Sequence, residues 1–198
     1  MLRELLKGHH IILASGSPRR QQFLKDLGLD FEIRLKPVDE VYPQRLKGFE
    51  ISDYLAQLKA LPFKSELKEK EILITSDTIV WHRNKALGKP RSEEEAINMI
   101  RSLSGDVHEV ITSLCITTTT VQKTIHATTK VHFKELTDKE IIYYVTQFKP
   151  FDKAGAYGIQ EWIGFIGIDR IEGSYFNVVG LPVHLLYEQL LKIKEYGS

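Results

Sequence analysis

The chain has one cysteine, Cys115, in 198 residues. An intramolecular disulfide and a cysteine-based zinc site are thereby excluded, and the composition suits a reducing compartment. An excess of one charge is also missing. Lys and Arg number 27 against 26 Asp and Glu, a formal net charge of +1, so there is no broad basic field for long nucleic acid. No apolar run approaches the about 18 residues of a membrane-spanning helix. The first residues carry charge and no apolar leader, so the expectation is a cytoplasmic protein without signal peptide or membrane span. The phosphate-cradling G-x-x-x-x-G-K-[ST] and the dinucleotide G-x-G-x-x-G patterns are absent. So is the G-x-S-x-G elbow, and Ser15 and Ser17 have no evident histidine partner, which disfavours a serine nucleophile. The seven histidines lack the H-x-x-x-H and H-E-x-x-H spacings and read as structural.

What is present is ordinary for a globular protein: 42% hydrophobic and 27% charged residues. That length suits a single domain over residues 1–198, able to bury a core without staples. The most informative segment is 11–24. Ile11 to Ala14 reads as a buried strand that breaks at Ser15-Gly16-Ser17. A helix follows, with Ser17 as N-cap and Pro18 at its first position, where a missing N–H costs nothing. Phe23, Leu24 and Leu27 make its apolar stripe, and Gly28 fits the position just past its end. Such a turn aims free N–H groups and a helix dipole at one spot, an arrangement suited to an anion. It is also a common α/β connection, and Arg19 and Arg20 suit either phosphate or solvent.

Elements then alternate. Phe31–Arg34 reads as a short strand, 36–48 as a polar loop holding Val38-Asp39-Glu40, and Ile51–Ala60 as a helix ending near Lys59. Glu71–Trp81 is a strand with Ser76-Asp77-Thr78 inside it, and Ala86-Leu87-Gly88-Lys89-Pro90 a turn. Ser92-Glu93-Glu94-Glu95 and Thr137-Asp138-Lys139-Glu140 are capping boxes that open helices. Val107–Thr120 and Thr124–Phe133 read as paired long strands, half-exposed, with Cys115 a core residue of the first. A Gly-rich loop spans Asp152 to Gln160, Ile163–Ile171 reads as a strand, and a last helix uses Leu185, Leu186, Leu190 and Ile193. Alternation plus a long antiparallel pair points to an α/β fold on a mixed sheet.

Asp77 stands out chemically. A carboxylate inside an apolar strand is paired, metal-bound or at an open edge, because an unpaired buried charge is costly. Glu40, Lys59 and Lys89 are unexceptional singly, although Gly88 and Pro90 fix Lys89 on a rigid turn. The loop around Lys153 suits a phosphate, a base or plain solvent.

Together these segments resemble the Maf family of nucleoside triphosphate pyrophosphatases. The marks stand in order from Leu13 to Leu190: Ala14-Ser15-Gly16-Ser17-Pro18-Arg19-Arg20, Val38-Asp39-Glu40, Leu58-Lys59-Ala60, Ser76-Asp77-Thr78-Ile79-Val80 and Leu87-Gly88-Lys89-Pro90. They continue with Leu103-Ser104-Gly105 and His108-Glu109-Val110, Lys153 to Gln160, and Gly173 to Pro182. One such mark is weak; eight in order are specific.

The resemblance implies hydrolysis of a nucleoside triphosphate between its α and β phosphates, assisted by a divalent cation, usually magnesium. It implies an elongated mixed-sheet α/β fold with flanking helices and a central cleft, related to the inosine triphosphatases, and commonly a homodimer. Asp77 becomes the general base or a metal ligand that positions the water, and Glu40 a second metal ligand. Ser15, Ser17 and Arg20 would cradle the triphosphate, and Lys59, Lys89 and Lys153 would offset phosphate charge. The subgroup acting on dTTP and UTP has an arginine, a threonine and a glutamine where this chain has Arg19, Thr78 and Gln160. A pyrimidine specificity is therefore implied over a purine or 7-methyl-GTP one, and turnover over a non-catalytic regulator of septum formation. Ser76 departs from the more usual Ala or Gly before the aspartate.

Overall fold

The computed structural model describes residues 2–193. Fifteen α and β elements follow one another: α1 (Leu2–Leu5), β1 (His10–Leu13), α2 (Pro18–Asp26), β2 (Phe31–Ile33), α3 (Phe49–Ala60), β3 (Glu71–His82), β4 (Lys85–Leu87), α4 (Glu93–Leu103), β5 (Val107–Thr117), β6 (Gln122–Phe133), α5 (Asp138–Phe148), α6 (Trp162–Gly167), β7 (Ile168–Glu172), α7 (Tyr175–Val179) and α8 (Val183–Leu191). The strands form one seven-stranded mixed sheet in the order β2-β1-β3-β5-β6-β7, with β4 paired to β3. β1 is parallel to β2 and β3, whereas β4 and β7 pair antiparallel with β3 and β6. The α/β class and the mixed sheet are as the sequence implies.

The chain divides into two compact units. The first comprises residues 1–77, 112–127 and 180–198; the second comprises 78–111 and 128–179. The first unit holds the parallel strands and the helices that cross between them. Ile11, Leu13, Ile72, Ile74 and Leu114 are buried together with Leu24 of α2 and Leu186 and Leu190 of α8. A smaller cluster joins Ile12, Leu73 and Cys115 to Ala56 and Ala60 of α3 and to Phe63. In β3, Ile72, Leu73 and Ile74 are apolar in succession and all buried, because this part of the strand is covered on both faces. α2 ends as its sequence dictates. Gly28 adopts φ 71°, its N–H bonds to Lys25 O and the Leu29 N–H to Leu24 O, the pattern of a Schellman cap.

In the second unit, α4 and α5 bury Ala96, Ile100, Leu103, Ile141, Tyr144 and Val145 against Val110, Val131 and Phe133 of β5 and β6. Thr137 and Glu140 make the full reciprocal capping box. At α4 the Ser92 side chain caps the Glu95 N–H, but the Glu95 carboxylate accepts from the Arg91 N–H rather than that of Ser92.

Three sequence expectations change. Residues 162–167 are helical, and β7 begins only at Ile168. The Glu161 carbonyl accepts the Gly164 and Phe165 N–H groups, and a Cβ at Gly164 would lie 1.9 Å from the Ile159 carbonyl oxygen. The turn thus closes only with glycine, a tertiary constraint that hides behind apolar Ile163, Phe165 and Ile166. Ala86 and Leu87 of the expected turn pair with β3 as part of β4. β5 is almost wholly buried instead of half-exposed, because both of its faces are covered: Leu114 and Ile116 pack in the cluster of α2 and α8, and Cys115 in that of α3.

Candidate active site

In the first unit, β1 leads through Ser15-Gly16-Ser17 into α2. Ser17 occupies the N-cap with extended dihedrals, yet its side chain caps nothing. Its backbone N–H instead donates to Ser15 Oγ at 3.3 Å. The expected serine cap is therefore corrected: Ser15 is the hydroxyl built into the turn. Arg19 and Arg20 follow Pro18, both half-buried.

Arg20 is tied down by tertiary contacts. Its Nε donates to the Gly180 carbonyl at 2.8 Å and an Nη to the Ser76 carbonyl at 2.8 Å; the same Nη lies 3.5 Å from Ser15 Oγ. Burial pulls the Arg20 pKa down, and Asp77 and Glu40 oppose that by favouring the cation. A guanidinium remains charged under such shifts.

Asp77 is 6% exposed, next to the carbonyl that Arg20 holds. Its Oδ1 accepts from Lys59 Nζ at 2.6 Å, and the same ammonium lies 2.9 Å from Glu40 Oε1. One lysine thus bridges a buried carboxylate on β3 and a carboxylate of the 36–48 loop. Burial pushes the Asp77 carboxyl above the usual carboxylate range; Lys59 and Arg20 pull it down and Glu40 pushes it further up. Of the options open for a carboxylate in an apolar strand, pairing is the one observed. Ser76, the family departure, is buried, and its Oγ has no hydrogen-bond partner among the described residues.

In the second unit, Thr78 continues β3 and is half-buried. Lys89 is exposed beside Gly88, whose carbonyl accepts the Gly155 N–H at 3.0 Å, joining the lysine turn to the Gly-rich loop. Gly155 has φ 69°, and a Cβ there would stand 2.9 Å from Val80 Cγ2. Lys153 Nζ binds Asp152 at 2.7 Å and Glu161 at 2.9 Å. Glu161 also accepts from the Tyr144 hydroxyl, which in turn accepts the Gly158 N–H at 3.1 Å. Lys153, Gln160 and Glu161 converge over Gly158, where a Cβ would lie 3.1 Å, 3.2 Å and 2.9 Å from their respective side chains.

Ser15, Arg20, Glu40, Lys59 and Asp77 are therefore gathered in the first unit, and Lys153 and Gln160 in the second, with Lys89 one turn from their loop. Glu161 and Tyr144 escaped the sequence reading. Glu161 follows Gln160 directly, so adjacency offered a signal; Tyr144 reads from sequence only as a core aromatic of α5.

The fold is a mixed-sheet α/β one whose first unit sets a strand–loop–helix turn and a lysine held between two carboxylates. Comparison with known proteins makes this specific. Residues 10–193 match the family model described as Maf-like protein, and the chain belongs to the Maf family. It is 62% identical over 190 residues to a dTTP/UTP pyrophosphatase of Flavobacterium johnsoniae, covering 96% of this chain and 98% of that one. A protein of the same description from Christiangramia forsetii is also 62% identical, with 96% and 97% covered. The corresponding protein of Bacteroides fragilis is 51% identical over 189 residues, with 95% and 98% covered. Among solved structures, the Staphylococcus aureus Ham1 protein shares the fold, with a TM-score of 0.50 and 16% identity over 91% of this chain and 99% of that one.

Proposed function

We propose that the protein is a nucleoside triphosphate pyrophosphatase that hydrolyses dTTP and UTP to the nucleoside monophosphate and pyrophosphate, removing unwanted or modified pyrimidine nucleotides. The observation that carries this reading is the buried Asp77 paired through Lys59 with Glu40, in a Maf-family chain whose relatives are dTTP/UTP pyrophosphatases. Residues 1–198 are read as one catalytic entity.

Attack at the α-phosphorus requires a deprotonated water, offset of the phosphate charge and a stabilised leaving pyrophosphate. Asp77 takes the water's proton; its raised basicity, a result of burial, suits it to that role better than an ordinary surface aspartate. Ser15, Ser17 and the start of α2 receive the triphosphate. Arg20, with Nε and one Nη directed at backbone carbonyls, fixes the β3 backbone before Asp77 and contributes positive charge. Lys59, Lys89 and Lys153 offset charge on the phosphate oxygens. Arg19, Thr78 and Gln160 read the pyrimidine, Gln160 offering both a donor and an acceptor.

A divalent cation fits the first unit. Glu40 and Asp77 are hard oxygen donors on either side of Lys59 Nζ, and they would hold the cation beside the ammonium and not at its position. Two carboxylates completed by substrate phosphates suit magnesium better than an all-protein cage would; no group of three or more His, Cys, Asp or Glu forms a metal cluster among the described residues. When bound, the cation would neutralise phosphate charge. A homodimer and a cytoplasmic location complete the proposal; among the described residues no helix is long and apolar enough to cross a membrane.

The test is pyrophosphate release from dTTP, UTP, CTP, dGTP, ITP and 7-methyl-GTP with magnesium. Preference for dTTP and UTP is expected. Preference for a purine or for 7-methyl-GTP would overturn the specificity, and nucleotide binding without release would make the protein a regulator instead.

A further inference from the structure

α3 meets β3 at two polar points on a shared face. Thr75 and Asp77 are two residues apart on the strand and so point the same way. Ala56 and Lys59 are three apart on the helix and so lie one turn apart on one side. The Thr75 hydroxyl donates to the Ala56 carbonyl at 2.7 Å, and Lys59 donates to Asp77 at 2.6 Å. Thr75 and Ala56 are wholly buried.

We propose that Thr75 is a positioning residue for the reaction: its hydroxyl fixes the last turn of α3 on β3 and thereby sets where Lys59 holds Asp77 and Glu40. This rests on the reading of Asp77 and Lys59 as catalytic groups. Burial alone does not call for a hydroxyl here. The neighbouring strand positions 72, 73 and 74 are apolar, and valine would fill the same volume. Ala56 lies within α3, and a carbonyl has two lone pairs, so the Thr75 bond adds to the helix ladder without replacing part of it. The far end of α3 is docked separately. Ser113 Oγ bonds Ser52 Oγ at 2.7 Å and Asp53 Oδ1 at 2.6 Å, and His126 Nδ1 lies 3.1 Å from Asp53 Oδ2. The start of the helix therefore stays anchored when the Thr75 bond is lost, and the lysine-bearing last turn is what gains freedom.

The experiment compares Thr75→Val, Thr75→Ser, Lys59→Met, Thr75→Val/Lys59→Met, Ser113→Ala and Asp77→Asn in steady-state pyrophosphate release, with circular dichroism as the folding check. Thr75→Val should lower kcat about tenfold with KM little changed, as expected when a reacting group is misplaced by a fraction of an ångström. Thr75→Ser should restore most of the loss. In the Lys59→Met background the valine should add nothing, because the two positions act as one. Ser113→Ala should lower the melting temperature and leave kcat alone. Wild-type kcat in Thr75→Val overturns the proposal. So does a loss that serine fails to rescue, one that adds to Lys59→Met, or one that Ser113→Ala reproduces. If Thr75→Val does not fold, Thr75→Ala takes its place with the same outcomes. Activity retained in Asp77→Asn would overturn the catalytic reading itself; an inactive Asp77→Asn beside a fully active Thr75→Val removes only the role of Thr75.

Discussion

The Lys59 ammonium lies 2.6 Å from Asp77 Oδ1, a contact between the last turn of a helix and the middle of a buried strand. Burial keeps this carboxylate more basic than usual, while the lysine, with Arg20, favours its charged form. An acceptor for a proton from water needs both properties.

Replacing Asp77 with Asn should lower pyrophosphate release from dTTP by about a hundredfold or more, the range lost when a general base is removed. The substitution is close to isosteric and keeps an oxygen for Lys59, so the melting curve should stay near that of the wild type. Turnover at the wild-type rate would sink the assignment.

Gln160→Ala should change base choice more than rate. Selectivity for dTTP and UTP over CTP is expected to fall by about tenfold, the worth of one good hydrogen bond. A panel of kcat/KM values checks this, and an unchanged preference would refute the role of Gln160.

Gly155→Ala should destabilise the Gly-rich loop by about 1–3 kcal/mol through its left-handed backbone. The added methyl would also press on Val80. Thermal melts should register a lower Tm, and Val80→Ala in the same chain should recover the steric part but not the backbone part. Equal melting of wild type and Gly155→Ala would contradict this geometry.

His108 predicts an acid sensitivity. It is 2% exposed, shares a 2.7 Å hydrogen bond with the Tyr157 hydroxyl and stacks on Phe133. Burial, with His82 and His132 adding to it, pulls its pKa down to about 3. The unfolded chain therefore takes up a proton below about pH 6.5 that the folded chain refuses, so this contribution is complete above that pH. Stability is lost as pH falls from there toward 3, by up to about 1.4 kcal/mol per pH unit. Melting of His108→Gln across that window should fall less steeply than that of the wild type; parallel curves would refute the account.

Local chemistry is what the sequence made legible. Pro18 and Gly28 bracket α2, and Thr137 with Glu140 opens α5, because caps are properties of a few adjacent residues. The charge of Asp77 in an apolar strand forecast a partner, or a metal or an open edge, but that Lys59 of α3 supplies it is a contact the fold creates. The carbonyls held by Arg20 lie 56 and 160 residues away in the chain, and no periodicity encodes such contacts. The helix at 162–167 was hidden for a similar reason. Its apolar run suits a strand equally well, and Gly164 decides the matter only through its fit against Ile159. Tyr144 and Glu161 meet across α5 and the Gly-rich loop, a pairing that the fold creates.

The lone thiol offers a use of a different kind. Cys115 is fully buried in the cluster that α3 contributes to through Ala56 and Ala60. A thiol reagent in solution has no access to it while that helix stays seated. The rate at which native protein is modified thus becomes a clock for the opening of α3, read from a single atom without any label being introduced. With no second cysteine in the sequence, any cysteine placed on the surface for a spectroscopic probe would react against a silent background.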